Sequence, residues 1–338
     1  MNQMISDKII ENRLNLFLLH NENDRLKEQI KVKNNIQMIH IISEIEKKFN
    51  TNFTNIENKW ISVKELINFL ENLPLDNSIN YATRILDSMK IFKSTMSKLE
   101  VKISNKITND LVYIVGVIIG DGCLSEYTTK KMYPVYVCGT NENYIKNTIK
   151  TVMNNLFNLS SFIKGKKREN KSILYEWIRY SKPLYRFFSN IFEIPIGKKS
   201  HKVLIPKLIK NLNSELQISF LTGLFDTDWG YEYYTFGSGC VSRQLLEDAK
   251  NMIEKLTNIE NLKIKERPLN AKSGSFSLII PKKFIPEFYR VFRKRLKNAE
   301  KIRILENLMP LSSRPVKDMW RSEITTPQSG PSSSFRRI

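Results

Sequence analysis

Apolar positions along this chain follow two rhythms, one of helical spacing and one of strict alternation, and the switch between them marks out its elements. Leu66, Ile67, Phe69 and Leu70 fall at helical spacing, as do Ile79, Ala82, Ile85, Leu86 and Met89. Ser62-Val63-Lys64-Glu65 precedes the first group in the pattern of a capping box, and Pro74 separates the two groups. Two helices are expected, one from Ser62 stopped by Pro74 and one over 78–92. Their tight junction suits a helix-turn-helix reading a major groove, and equally a small bundle. Residues 1–105, rich in Asn, Lys, Ile and Leu, are expected as a helical N-terminal domain.

Beyond residue 110 helical and alternating stretches take turns. An apolar helix over 111–122 is followed by strands at 123–127 and 135–139, with a turn at Lys130-Lys131. Helical spacing returns over 141–156. A hairpin of 161–166 and 173–180 follows, across Lys167-Arg168-Glu169-Asn170-Lys171, and a helix over 183–192 closes the unit. After a connector with Pro195, Gly197, Lys198, Lys199 and Pro206 the order begins again: a helix from 214, a strand over 229–237, a helix over 242–257, strands at 262–266 and 275–280 around a 270–274 turn, and a helix over 281–297. This is an internal duplication. The fold class expected is α+β: two repeats, 106–210 and 211–310, each an antiparallel sheet with helices on one face. A tail, 311–338, is Pro, Ser and Gly rich from Thr325 and is expected to be mobile.

The opening helices of the two repeats share a pattern. The first reads Ile114-Val115-Gly116-Val117-Ile118-Ile119-Gly120-Asp121-Gly122, the second Leu221-Thr222-Gly223-Leu224-Phe225-Asp226-Thr227-Asp228-Trp229. A glycine inside a helix costs roughly 1 kcal/mol relative to alanine, so something must offset it. Gly116 and Gly120 share one face, as do Gly223 and Thr227, which suits two backbones packed closely along small residues. Asp121 and Asp228 would then emerge together where the helices end. Two adjacent carboxylates can hold divalent cations against a phosphodiester.

Charge gives that arrangement a partner. The 338 residues contain 54 Lys and Arg against 34 Asp and Glu, a net charge of +20 and a pI near 9.7, which points to a polyanion. With 41% hydrophobic residues the chain is expected to be folded rather than a disordered basic tail. Cys123, Cys138 and Cys240 form no disulfide framework or zinc pattern, and no apolar run is long enough to span a bilayer. An intracellular, reducing, DNA-associated location is expected. Period-two alternation assigns to the free face of the first sheet Tyr127, Tyr133, Lys164, Lys166, Tyr175, Trp177 and Arg179, flanked by Lys130, Lys131 and Arg168 in the turns. In the second half it assigns Tyr231, Tyr233, Lys263, Lys265 and Arg267. Two such faces side by side would make a basic saddle for double-stranded DNA.

The paired glycine and aspartate stretches resemble the LAGLIDADG homing endonucleases, whose motif occurs twice in pseudo-symmetric monomers. The resemblance covers roughly residues 108–310. It implies a monomeric, site-specific endodeoxyribonuclease that makes a staggered cut across the minor groove. It also implies Mg²⁺, or Mn²⁺, or Ca²⁺ in a non-cleaving complex, held by Asp121 and Asp228 with the neighbouring positions Gly120 and Thr227. A lysine near the end of each repeat and a polar residue after its second strand would organise water; the matching positions are Lys198 or Lys199 with Asn141, and Lys301 with Arg243. A chain opening at Met1 without a splicing Cys or Ser is expected to be free-standing or intron-encoded, and intron RNA is a further expected partner. The alternative is a non-catalytic binder on the same fold, an RNA maturase or DNA-binding regulator. Two departures stand out. Ile119 occupies the place of Asp226, and Trp229 replaces the glycine expected after the second acid, where a left-handed helix end would strain a bulky residue. Gly230 is the residue expected to take that turn instead.

Overall fold

The computed structural model describes residues 7, 9–10, 13–24, 28–160, 162–169, 171–267 and 276–310. The expected 270–274 turn and the 311–338 tail lie outside them. The N-terminal unit runs through β1 (Ile9–Ile10), β2 (Arg13–Leu14), β3 (Ile30–Lys33), α1 (Ile36–Phe49), β4 (Trp60–Ser62), α2 (Val63–Glu71), α3 (Leu75–Ser88), β5 (Ile91–Ser94) and β6 (Val101–Lys102). The capping box is formed: Lys64 N–H donates to Ser62 Oγ at 3.2 Å and Ser62 N–H donates to the Glu65 carboxylate at 3.1 Å. Asn72, Leu73 and Pro74 alone separate α2 from α3, a turn of helix-turn-helix length.

The unit is not simply helical, which corrects the expectation. Its short strands pair as an antiparallel sheet in the order β4-β3-β5-β6. Ile30 and Val32 point inward while Lys31 and Lys33 stay half-exposed, a four-residue alternation too brief to stand out in the pattern. The helix expected over 78–92 ends at Ser88 for the same reason: Met89 is extended, and Phe92 enters β5 as a buried sheet residue.

The two repeats share one order of elements. The first comprises α4 (Asn109–Asp121), β7 (Gly122–Leu124), β8 (Pro134–Gly139), α5 (a π-turn Tyr144–Ile149 continuing as Lys150–Phe157), β9 (Phe162–Arg168), β10 (Lys171–Tyr180) and α6 (Lys182–Arg186, continuing as a π-turn Phe187–Ile191). A short α7 (Lys207–Lys210) leads into the second: α8 (Ser214–Asp228), β11 (Gly230–Glu232), β12 (Thr235–Cys240), α9 (Arg243–Leu256), β13 (Ile264–Glu266), β14 (Phe276–Ile280) and α10 (Ile285–Phe292). Both sheets are antiparallel and ordered alike, β7-β8-β10-β9 and β11-β12-β14-β13. Side chains of α4, α8 and the inner sheet faces form the core between them.

Two elements differ from the reading of the sequence. The stretch 229–237 is a hairpin rather than one strand, because Tyr233 and Tyr234 turn the chain with φ of 45° and 63°. No Gly or Asn announces that turn. The helix expected over 281–297 is shorter, and a further helix α11 (Ala299–Leu308) follows, capped by Asn298, whose side chain accepts from Glu300 N–H.

The N-terminal unit is fastened to the first repeat through α6. Lys182 is buried there, with its ammonium 2.8 Å from Asp24 and donating to the Glu28 carbonyl at 2.6 Å, and Arg186 lies 3.3 Å from the same Asp24. Asn190 adds a bond to the Leu18 carbonyl.

Candidate active site

The site begins with two helices that approach closer than side chains would allow. A Cβ at Gly116 would lie 2.2 Å from the Phe220 carbonyl oxygen, and one at Gly223 would lie 2.0 Å from that of Tyr113. Each glycine therefore makes room for the opposite backbone, which offsets its poor helix propensity. One turn further, a Cβ at Gly120 would lie 2.1 Å from Thr227 Oγ1 and 3.4 Å from Asp228 Cγ. The helices end side by side, with Asp121 and Asp228 on a common floor.

The surroundings of both acids oppose their charged form. Burial first, and then the neighbouring Asp228, push the Asp121 carboxyl up to about 7, against the pull of Lys199 and Lys301. Burial also raises Asp228, again opposed by Lys199 and then Lys301. Asp228 keeps an exposed side chain at the end of α8. Burial lowers Lys199, while the two acids oppose that shift.

The two lysines singled out in the sequence converge here. Lys199, near the end of the first repeat, donates to the carbonyls of Ile118, Ile119 and Gly120, the last at 2.7 Å, and so satisfies the end of α4. Lys301, on the first turn of α11, has its ammonium 3.5 Å from where a Gly230 Cβ would stand. Lys198 is exposed beside Lys199. Asn141 does not join the acids: its side-chain oxygen accepts from Tyr144 N–H, and its amide reaches Asn298 at 3.3 Å. Arg243 pairs with Glu247 and lies over Phe276. Thr227 Oγ1 donates within its own helix, to the Gly223 and Leu224 carbonyls.

The strain expected at Trp229 is absent. Trp229 is extended at φ −95° and ψ 151°, as Gly122 is at φ −92° and ψ 169°, so neither helix end is left-handed. Trp229 is buried, 4.7 Å from Phe225 between ring centroids and packed on Phe236 and Phe288. It is a core residue.

Asp226 has a different setting from the two helix-end acids. It is buried, accepts from Tyr113 Oη at 2.8 Å and from Lys297 N–H at 2.7 Å, and its carbonyl accepts from Asn298 Nδ2 at 2.9 Å. Tyr144 Oη lies 2.8 Å from Tyr113 Oη, so the network reaches into the first repeat. Burial pushes Asp226 up to about 6. Only Asp226 in place of Ile119 hinted at this asymmetric network; its partners Lys297 and Asn298 lie 71 and 72 residues away in sequence.

Register corrects part of the saddle. Trp177 opposes Val137 and Arg179 opposes Val135, both core-facing valines, so Tyr175, Trp177 and Arg179 point toward the helices. Tyr175 is half-buried against the core, Trp177 is fully buried, and desolvation lowers Arg179. Lys164 and Lys166 oppose Glu176 and Leu174 on the free face, where Tyr136 and Tyr180 also lie. The one-residue parity was misread because β10 carries apolar residues on both faces. Tyr133 is buried under Lys182 and against Tyr185, Lys131 pairs with Glu28, and Arg267 is buried against Glu232 and Tyr233. The Arg168 side chain lies outside the described residues. Tyr127, Lys130, Tyr233, Lys263 and Lys265 are exposed as expected; Tyr231 is exposed too, but it opposes the buried Phe236 and so lies on the core side of its sheet rather than on the free face. Tyr233, Lys263 and Lys265 line a concavity of about 710 Å³ with Ile279 and Lys283.

Two carboxylates that raise each other's affinity for protons fit a hard divalent cation, whose remaining positions water and phosphate oxygens can fill. Among the described residues no group of three or more His, Cys, Asp or Glu offers a closed metal site. The three cysteines are half-buried and free, and burial pushes Cys138 up to about 11, so its thiol stays protonated. Among the described residues no helix is long and apolar enough to cross a membrane.

No protein-family model matches this chain, and no curated protein does. Among solved structures it is similar to the homing endonuclease I-DmoI in complex with DNA and Mn, at 24% identity and a TM-score of 0.42 over 54% of this chain and 96% of that one. It is similar also to the homing endonuclease I-WcaI bound to its DNA recognition sequence, at 17% identity and a TM-score of 0.44 over 58% and 85%. A third is the LAGLIDADG meganuclease I-AabMI bound to uncleaved DNA, at 17% identity and a TM-score of 0.36 over 64% and 93%.

Proposed function

We propose that this chain is a monomeric, metal-dependent, site-specific DNA endonuclease of the LAGLIDADG homing type. The observation that carries the reading is the convergence of Asp121 and Asp228, one from each repeat, under two helices that only glycines allow to touch. A protein gains no stability from two carboxylates driven together: their mutual repulsion and burial are a cost that a bound cation would relieve.

On this reading Asp121 and Asp228 hold Mg²⁺ or a related divalent cation, which neutralises charge on the phosphate under attack. The paired sheets lie along a duplex, with Lys164, Lys166, Lys263, Lys265 and Lys130 on phosphates and Tyr127 and Tyr233 nearer the bases. Lys199 and Lys301 bring positive charge to the acids. An encoding intron and its RNA complete the reading.

The test is cleavage of duplexes selected from a random library in Mg²⁺. Wild-type protein is expected to cut both strands at one site. Asp121→Asn and Asp228→Asn are each expected to lower cleavage by at least about 10²-fold with little change in affinity. Tight binding with no cut by wild type would point instead to the non-catalytic reading, an RNA maturase or regulator.

A further inference from the structure

One place on the free faces of the two sheets sets the repeats apart. On β10, Ile178 lies opposite Tyr136 of β8, whose neighbours Val135 and Val137 are buried in the core. On β14, Ile279 lies opposite Gly237 of β12, between the buried Leu278 and Ile280. Tyr136 and Gly237 thus hold the same place in their repeats, as do Ile178 and Ile279. Beside the tyrosine Ile178 is only 4% exposed, whereas a glycine has no side chain to cover Ile279, which stays half-exposed.

That uncovered isoleucine lines the cavity of about 710 Å³, a size that suits a small organic group. Tyr233 and Phe284 add aromatic rings to it, Lys263, Lys265 and Lys283 add three ammonium groups, and Glu260 adds an acceptor. Tyr233 is held rather than loose. It and Tyr234 turn the chain at φ of 45° and 63°, a strained backbone for residues with a Cβ. Arg267, buried against Glu232, lies over the Tyr233 ring at 5.5 Å. The ring nonetheless remains 61% exposed where it meets the cavity. A strained turn and a buried guanidinium that together present an exposed ring serve contact with a ligand rather than packing.

Flat rings, an apolar floor and ammonium groups match a nucleobase with its phosphate. We propose that this cavity of the second repeat receives one nucleotide of the bound DNA, turned out of the duplex. Its base lies against Tyr233 and Ile279, and its phosphate lies among Lys263, Lys265 and Lys283. Glu260 accepts from an exocyclic amine, which favours adenine, cytosine or guanine over thymine. Tyr136 fills the matching place in the first repeat, so the duplex keeps its stacking there.

The inference rests on the DNA-binding part of the proposed function and not on cleavage. A base that leaves the stack gives up its pairing, and a mismatch has given it up in advance. Single mismatches are therefore stepped along the duplex selected from the random library, and affinity is measured with Ca²⁺ in place of Mg²⁺ so that the strands stay whole. One mismatch, in the half of the site beside the second repeat, is expected to tighten binding at least about fivefold, while the others weaken it or leave it unchanged. 2-Aminopurine at that position is expected to brighten at least about threefold on binding. Ile279→Trp, which fills the cavity, is expected to remove both signals. Tyr233→Ala, which alters an exposed side chain and is expected to melt with wild type, should remove them too. The absence of any tightening mismatch, or signals that survive both substitutions, overturns the inference; cleavage of the same duplex in Mg²⁺ then leaves the nuclease reading standing. A protein that holds no duplex overturns both. Free deoxyadenosine monophosphate retained in equilibrium dialysis, without any mismatch effect, assigns the cavity to a free nucleotide and likewise overturns the inference.

Discussion

At the scale of single residues, Trp229 and Asp121 show how environment overrides what a side chain suggests in isolation. Read in sequence, Trp229 stands where a glycine is expected and looks like a source of strain. In the structure it anchors an aromatic cluster from an ordinary extended backbone. Trp229→Gly, which would relieve a strained cap, is instead expected to cost about 3–5 kcal/mol, measured by urea unfolding. Asp121 makes a second prediction. Its carboxyl holds a proton more tightly in the folded state, at about 7, than at its ordinary value of 3.8. Without metal, its contribution to stability therefore declines as pH rises from about 4 to about 7, and the whole penalty stands above that range. Asp121→Asn in EDTA should raise Tm at pH 8 and leave it nearly unchanged at pH 3.5. Mg²⁺ should raise the Tm of wild type more at pH 8 than at pH 6, since cation and proton compete for one group.

At the scale of elements, the two glycine-faced helices were legible because their pattern is written twice and is long enough to fix both period and face. The β11–β12 turn was not, because Tyr233 and Tyr234 carry none of the residues that ease positive φ. Short strands failed for a related reason: β3 and β5 have four residues each, within reach of helical spacing as well. The parity of β10 escaped because Trp177 and Ile178 are both buried, one on each face. α11 went unseen and with it the setting of Lys301, whose restraints come from Asp226 at long range. Two substitutions test these elements. Gly116→Ala or Gly223→Ala must push the helices apart and should cost at least about 3 kcal/mol by thermal unfolding, at the upper end of what overpacking usually does. Tyr234→Gly removes a left-handed tyrosine and should gain about 1 kcal/mol.

At the scale of the whole molecule, charge and architecture divide the chain unevenly. The first 105 residues carry 15 Lys and Arg against 13 Asp and Glu, leaving 39 against 21 for the rest. The excess positive charge thus belongs to the repeats, where binding to duplex DNA should weaken steeply with salt, a slope measurable by titration. The N-terminal unit is nearly neutral, which favours a brace over a second phosphate-gripping surface. Its fastening can be tested directly: Lys182→Met leaves Asp24 buried without its main partner, and should cost about 3–5 kcal/mol and expose the 13–33 stretch to protease.

Because Asp24 finds its cations on α6, the added unit is fastened to one repeat, and among the described residues the other repeat has no counterpart. A near-twofold body would otherwise settle on a near-palindrome in either of two directions. With an outrigger on one flank the two ends of the body cease to be interchangeable, so on the proposed DNA-binding reading the unit always comes to rest beside the same half of a target.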